Sequence, residues 1–195
     1  MNISFLIPSS TIRFTTPKKI KSVVGGQERV DVYSRILLNL YRWQDRFDAD
    51  ITAIFYLSHL EENLSISISL SNITHQIKTE LEATHFIINL FDTPGNFGAK
   101  AQKQDFETLL TTLAEKHTLY YLTSSGKDIS VLNDEILKSG DLCFILGSQL
   151  DLTENQERVL GKFNPFLISV GDREYLASHI ITIINHYLFS KYSKM

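Results

Sequence analysis

The sequence of 195 residues has little of what several classes of protein require. Its one cysteine, Cys143, excludes a disulfide within the chain and fits a reducing compartment. No run of about 18 apolar residues occurs, so we expect no membrane span. The N-terminus lacks the charged and apolar regions of a secretory signal. We therefore expect a cytoplasmic protein with no membrane partner.

The usual signals of catalysis are also missing. No His-x-x-x-His pair or cysteine cluster predicts zinc, so we expect no metal. No phosphate-binding Gly-x-x-x-x-Gly-Lys run and no Gly-x-Ser-x-Gly elbow is present. Cys143 lies inside an apolar run, and a lone histidine such as His179 is more often structural than a base. Any catalytic residue stays unknown, and an enzyme here would work by positioning and electrostatics.

What is present is the composition of one packed domain over residues 1–195. Hydrophobic residues make up 43% and charged residues 21% of the chain. The net charge is −3, but residues 1–35 hold six basic residues against two acids, a balance of +4 that leaves −7 for the remainder. This basic N-terminal segment either binds phosphates or simply faces water, and the composition leaves both open.

The order of apolar patterns predicts an α/β domain with parallel strands in its second half. Short apolar runs predict buried strands, and the strict alternation over residues 64–70 predicts a strand with one wet face, antiparallel or at an edge. Apolar residues at helical spacing predict helices. The expected strands are 3–7, closed by Pro8, then 51–57, 64–70, 119–122, 142–146 and 166–170, with a turn at 124–128; the expected helices begin at 30 and cover 75–90, 106–117, 153–161 and 175–192.

Two of these apolar runs stop at a glycine, Gly147 and Gly171, and a helical segment follows each. A glycine after a buried strand lets the backbone approach a ligand closely, because it has no Cβ. Ligands of open parallel sheets lie outside the carboxyl ends of the strands. The two glycines therefore mark either a small-molecule site or ordinary turns.

Several short motifs occur in a fixed order along nearly the whole chain, and together they carry a resemblance. The set resembles the SPOUT-class tRNA (pseudouridine(54)-N(1))-methyltransferases, the α/β-knot family. Its C-terminal block has an apolar strand ending in glycine, then Ile-Ser-Val-Gly, then Leu-Ala-Ser-His before a helix. The matching segments are 29–35, 93–95, 120–122 with Gly126 and Asp128, 144–147, 168–171 and 176–181 with Asn185.

The resemblance implies a Rossmann-like mixed sheet with a C-terminal trefoil knot, in which residues from about 118 to 195 bind the donor. It implies a homodimer that uses S-adenosylmethionine to methylate N1 of a pseudouridine in the T-loop of tRNA. The basic segment 1–35 would then meet tRNA phosphates. Carried over by position, the donor site would use Leu122, Leu146, Gly147, Val170, Gly171, Leu176, Ser178 and Ile180, and the target nucleotide would face Arg29, Asp31 and Arg35.

The chain departs from the family pattern in three places. Residues 148–151 read Ser-Gln-Leu-Asp where the family has Asp-His-x-Gly after its strand glycine. Glu28 replaces a glycine, and residues 98–100 replace the arginine-bearing end of the Pro-Gly loop. Two alternatives therefore stand beside the enzyme: a catalytically altered SPOUT paralogue that binds RNA as a dimer, and a SPOUT methyltransferase acting on another RNA base.

Overall fold

The computed structural model describes residues 2–12, 29–46, 49–58, 62–133 and 140–192. Four of the six basic residues of the N-terminal segment, Arg13, Lys18, Lys19 and Lys21, therefore lie outside the described residues, as does Glu28. Among the helices of the described part, none is long and apolar enough to cross a membrane.

The described strands form a single mixed sheet with the spatial order β4-β3-β2-β1-β6-β5-β7. Strands β1, β2, β5, β6 and β7 run parallel, while β3 pairs antiparallel with β2 and with β4. This confirms the expected parallel second half and the antiparallel alternating strand. The strands are β1 Asn2–Ser9, β2 Asp50–Leu57, β3 Leu64–Ser69, β4 Lys100–Lys103, β5 His117–Asp128, β6 Asp141–Ile145 and β7 Phe166–Ser169.

Helices cover both faces of the sheet. Asp105 caps α3 by accepting from the amide of Thr108, and Thr153 with Gln156 forms the expected capping box of α4. Short 3₁₀ turns follow α1, β3, α2 and β5. The α-helices are α1 Val30–Trp43, α2 Glu80–Asp92, α3 Phe106–Ala114, α4 Glu154–Gly161 and α5 Ala177–Tyr192.

Two hydrophobic clusters fill the space between sheet and helices. Alternate residues of the central strands point to opposite faces, so Phe5 and Phe144 join the cluster under α1, α2 and α5, with their ring centroids 5.4 Å apart. Leu6 and Cys143 join the cluster under α3 and α4. The central strands are buried on both sides, and this is why they read as continuous apolar runs.

Several predicted boundaries were wrong for local reasons. The second helix begins at Glu80 and not at residue 75, because Thr79 and Glu82 form a capping box there. The third ends at Ala114, because the chain is already in β5 by His117. Pro8 lies inside β1, beyond the last residue that β1 pairs with β6. The predicted turn at 124–128 belongs to β5, and β4 was not predicted.

Candidate functional site

A cavity of about 400 Å³ lies at the carboxyl ends of β6 and β7, beside an irregular part of β5. This is the edge of the sheet at which open α/β folds bind ligands. We call it the large cavity. It is lined by residues 121–124 of β5, 149–151 after β6, Glu157 of α4, 169–171 at the end of β7, 173–175, and Ile180 of α5.

A second cavity of about 100 Å³, the small cavity, adjoins the first, because Gln149 and Tyr175 line both. Its other walls come from the start of α1, the loop after β6 and the start of α5. It is lined by Arg29, Val32, Arg35, Ser148, Gln149, Tyr175 and residues 176–178.

The structure divides the residues that the resemblance named for the donor. Leu122, Val170, Gly171 and Ile180 line the large cavity, whereas Leu176 and Ser178 line the small one. Two others line neither. Leu146 is buried in the hydrophobic core, and Gly147 forms a tight turn in which an added Cβ would lie 2.4 Å from the carbonyl oxygen of Leu150. Gly147 therefore shapes the loop after β6, and its contribution to the cavity wall is indirect.

The bulge of β5 forms one wall of the large cavity. Strand β5 pairs with Ile168 of β7 at Leu122 and again at Lys127, so the residues between them leave the ladder. Thr123 and Ser124 of this bulge line the cavity. At Gly126 an added Cβ would lie 2.4 Å from the carbonyl carbon of Ile168, so the two backbones are in direct contact and only glycine fits.

The turn after β7 is held by one side chain. The Ser169 hydroxyl donates to the carbonyl of Gly171 at 2.7 Å and accepts from the amide of Gly171 at 3.1 Å. Gly171 has a φ of 147°, which side chains rarely allow. The glycine is therefore required by backbone conformation, and its main chain is open to the large cavity.

A tyrosine–glutamate pair lies across the large cavity, and sequence reasoning missed it. The Tyr121 hydroxyl donates to Oε1 of Glu157 at 2.8 Å. Burial raises the pKa of Tyr121 far above its ordinary value, and the hydrogen bond to Glu157 and the charges of Glu157 and Asp151 raise it further. Acids outnumber bases on this wall: Asp151, Glu157 and Glu174 against Arg173, among the described lining residues.

The three residues expected to face a target nucleotide form one ion-pair group at the small cavity. Asp31 is 6% exposed and accepts from Nε of Arg29 at 3.1 Å and from Nη2 of Arg35. Nε of Arg35 also donates to Glu80 of α2 at 3.0 Å, a contact that no sequence spacing indicated. Arg29 has a φ of 50°, which is uncommon outside glycine. The carboxylates thus hold both guanidinium groups at the cavity.

Other candidate residues lie away from the two cavities. Residues 93–95 are at the opposite end of α2 from Glu80. Cys143 is fully buried, and burial raises the pKa of its thiol to about 12, so it is not a nucleophile. His179 is exposed and lines neither cavity. Within the described ranges, no cluster of three or more metal-ligating side chains occurs.

Comparison with known proteins gives matches along the whole chain. A family model described as "Putative SAM-dependent RNA methyltransferase" matches residues 3–192. A tRNA (pseudouridine(54)-N(1))-methyltransferase of Methanosarcina acetivorans is 34% identical over 57% of this chain, and one of Thermococcus kodakarensis is 33% identical over 47%. The matched part is half or less of those two relatives, 50% and 43% of their length. A relative of the same name from Thermococcus onnurineus is 24% identical, with 96% of this chain and 97% of the relative covered.

Two solved structures share the fold. Archaeoglobus fulgidus Nep1, bound to S-adenosylhomocysteine, has a TM-score of 0.61 at 15% identity and covers 100% of this chain and 98% of its own. The "putative methyltransferase" Lpg2936 of Legionella pneumophila, bound to SAM, has a TM-score of 0.50 at 12% identity, covering 97% and 66%. At such identities the likeness concerns the fold alone.

Proposed function

The chain belongs to the family of SAM-dependent RNA methyltransferases whose model spans residues 3–192, and from this membership we propose that it methylates N1 of a pseudouridine in tRNA. Membership confirms the resemblance read from the motifs, and the two SPOUT neighbours confirm the SPOUT α/β fold. The observation that carries the proposal is the pair of adjoining cavities, one acidic and the other bearing two arginines.

The large cavity suits S-adenosylmethionine. Its volume of about 400 Å³ is in the ordinary range for a small-molecule site. The bulge of β5 and the turn at Gly171 both line it, and the main-chain groups of the bulge that have left the ladder can bind a nucleoside without large side chains. The excess of carboxylates suits a ligand that bears a positive sulfonium. In this reading Leu122, Val170, Gly171 and Ile180 contact the donor, while Leu146 and Gly147 support the loop beside it.

The small cavity suits the target nucleotide. Arg29 and Arg35 are held in place by Asp31, so their remaining N–H groups are oriented for a phosphate or a base edge. Leu176 and Ser178, given to the donor by the resemblance, line this side and would lie at the junction of the two ligands. Further phosphates would meet the basic residues of segment 1–35.

The chemistry needs positioning more than a strong base from this chain. S-adenosylmethionine supplies an electrophilic methyl group on sulfur. The residues of the chain hold the donor in one cavity and the nucleotide in the next, and Gln149 and Tyr175 lie at the boundary between them. Bringing two reactants together in a fixed orientation lowers a barrier by converting a bimolecular step into one within a complex.

We also propose that the protein is a homodimeric single domain that acts in the cytoplasm, where tRNA is modified. The edge strand β7 exposes 59% of Phe166 and 47% of Leu167, and Leu176 is 56% exposed at the start of α5. Exposed apolar side chains of this size favour a protein partner. Sedimentation at micromolar concentration tests this, because a monomer there would contradict the dimer.

Two measurements test the function in order. Isothermal titration should show binding of S-adenosylmethionine, and no binding at millimolar donor would contradict the proposal. Purified protein should then methylate a tRNA that carries pseudouridine at position 54, detected as a mass increase of one methyl group in the digested nucleoside. The matched control is the same tRNA with uridine at that position, which should gain no methyl group.

A second candidate function rests on the loop after β6. Ser148 and Gln149 line the small cavity, and Gln149, Leu150 and Asp151 line the large one, so the residues that depart from the family pattern lie between the two ligand sites. An RNA-binding dimer without transfer would bind tRNA and leave the pseudouridine unmethylated. A SPOUT enzyme for another base would methylate a different nucleoside, which mass spectrometry of total RNA from a deletion strain would reveal.

A further inference from the structure

The hydrogen bond between Tyr121 and Glu157 joins two elements that are far apart in sequence. Tyr121 lies on β5 and Glu157 on the first turn of α4, and the hydroxyl donates to Oε1 at 2.8 Å. Both side chains line the large cavity. A free glutamate on an exposed helix samples many rotamers, so the tyrosine fixes where the carboxylate lies relative to the cavity.

Tyr121 keeps its proton at neutral pH, because its pKa lies well above the ordinary value. Burial raises the pKa of this phenol, and the bond to Glu157 and the negative charges of Glu157 and Asp151 raise it further. The hydroxyl is therefore the donor of this hydrogen bond, and the carboxylate of Glu157 accepts it. The pair delivers one oriented negative charge to the cavity wall.

The two ligands of a methyltransferase differ in charge. At neutral pH the donor S-adenosylmethionine carries a sulfonium, an ammonium and a carboxylate, whereas the product S-adenosylhomocysteine has lost the sulfonium charge and is neutral overall. The wall of the large cavity bears Asp151, Glu157 and Glu174 against Arg173. A negative wall attracts the cationic donor, and it gives no net electrostatic attraction for the neutral product.

We propose that Glu157, oriented by Tyr121, is a specificity-determining residue that makes the large cavity prefer the cationic donor to its neutral product. The inference rests on the proposed function, because it takes S-adenosylmethionine as the ligand. Methyl transfer removes the positive charge, so the attraction ends with the reaction. The product therefore dissociates more readily than the donor does. Each carboxylate here is solvent-accessible and screened by salt, so the expected effect is a modest factor.

The test is a titration of S-adenosylmethionine and S-adenosylhomocysteine against the full chain and four variants. Glu157→Gln keeps the shape and removes the charge. Glu157→Asp keeps the charge, and Tyr121→Phe removes only the hydrogen bond. Glu154→Gln is the matched control, because Glu154 lies three residues earlier in the same first turn of α4 and lines neither cavity.

We expect Glu157→Gln to weaken the binding of S-adenosylmethionine three- to tenfold and that of S-adenosylhomocysteine by less than twofold. Tyr121→Phe should weaken the donor about two- to threefold, Glu157→Asp should keep most of the preference, and Glu154→Gln should change neither affinity. Raising salt from about 50 to about 500 mM should reduce the preference of the unmodified protein, and it should reduce that of Glu157→Gln less, because only Asp151 and Glu174 remain on the wall.

Equal weakening of the binding of both ligands by Glu157→Gln would show that the residue only packs the cavity wall, and it would overturn the proposal. Two unchanged affinities would overturn it as well. These outcomes differ from failure of the proposed function, in which the unmodified protein binds neither ligand. Thermal unfolding of each variant within about 2 °C of the unmodified protein shows that an altered ratio does not come from a damaged fold.

Discussion

Replacing Gly126 by alanine tests the backbone crossing that shapes the large cavity. An added Cβ would lie 2.4 Å from the carbonyl carbon of Ile168 and 2.6 Å from its nitrogen and oxygen. All three atoms are backbone, so no side-chain rotation relieves the overlap. Ile168 is fully buried, and β7 is held by its pairing with β5 on both sides of the bulge. The strand or the bulge must therefore move.

The cost of this movement follows from the overlap. Forcing an extra carbon into packed structure costs about 1–3 kcal/mol, and rigid backbone on both sides favours the upper end. For a chain of 195 residues each kcal/mol lowers the melting temperature by about 2–4 °C. We therefore expect Gly126→Ala to melt about 6–12 °C lower. Displacement of Thr123 and Ser124 should also lower the affinity for S-adenosylmethionine at least tenfold.

Differential scanning calorimetry measures the first effect and isothermal titration the second. The matched control is Gly161→Ala at the end of α4, where an added Cβ meets nothing within 4 Å. Alanine is the better helix former, so this variant should melt at the same temperature or slightly higher, with unchanged donor affinity. A Gly126→Ala variant that melts within about 1 °C of the unmodified protein would refute the close approach of the backbones at Gly126 and Ile168.

Four further predictions follow from other contacts. Gly171→Trp should abolish binding of S-adenosylmethionine and leave the oligomeric state unchanged, because a φ of 147° disfavours any side chain and the indole would occupy the large cavity; unchanged affinity in titration would refute the placement. Asp31→Asn should raise the KM for tRNA at least tenfold, because Arg29 loses its ion pair and Arg35 keeps only that with Glu80, and it should keep donor affinity within twofold; steady-state kinetics with both substrates distinguishes these. Cys143 should not react with a thiol reagent until the protein unfolds, because burial raises its pKa to about 12; a native-state reaction within minutes would contradict this. The amide of Thr108 lowers the pKa of Asp105, so this contribution to stability is present above the unfolded carboxyl value of about 4 and is lost as the pH falls through the lowered folded value; the urea midpoint should fall less steeply below about pH 4 in Asp105→Asn.

The sequence predicted the elements whose pattern is local. Buried parallel strands such as β1, β2 and β6 are short apolar runs, and the capping box of α4 is written in Thr153 and Gln156. Strand β4 was not predicted, because all of its residues are exposed and no apolar pattern marks it. The end of β5 was predicted as a turn, because Ser124, Ser125 and Gly126 have turn composition. Tertiary contact with β7 holds this segment in an extended conformation.

The candidate site was predictable where backbone alone defines it. Gly171 ends a strand and lines the large cavity, as the glycine rule suggests. Gly147 follows the same rule and yet faces the carbonyl of Leu150, because the short loop after β6 turns back on itself. The bonds from Tyr121 to Glu157 and from Arg35 to Glu80 join residues 36 and 45 positions apart, so only packing brings them together.

The loop at residues 148–151 links the fold to the chemistry. Its conformation depends on Gly147, where the missing Cβ admits the carbonyl of Leu150. The resemblance implies a glycine at the same place in the family. The four residues that follow differ from that family's pattern, and they line the boundary between the cavities. A backbone requirement is thus kept while the side chains between the two cavities change. If the proposed function holds, such changes act on how donor and nucleotide meet, and the main-chain walls of the large cavity stay as they are.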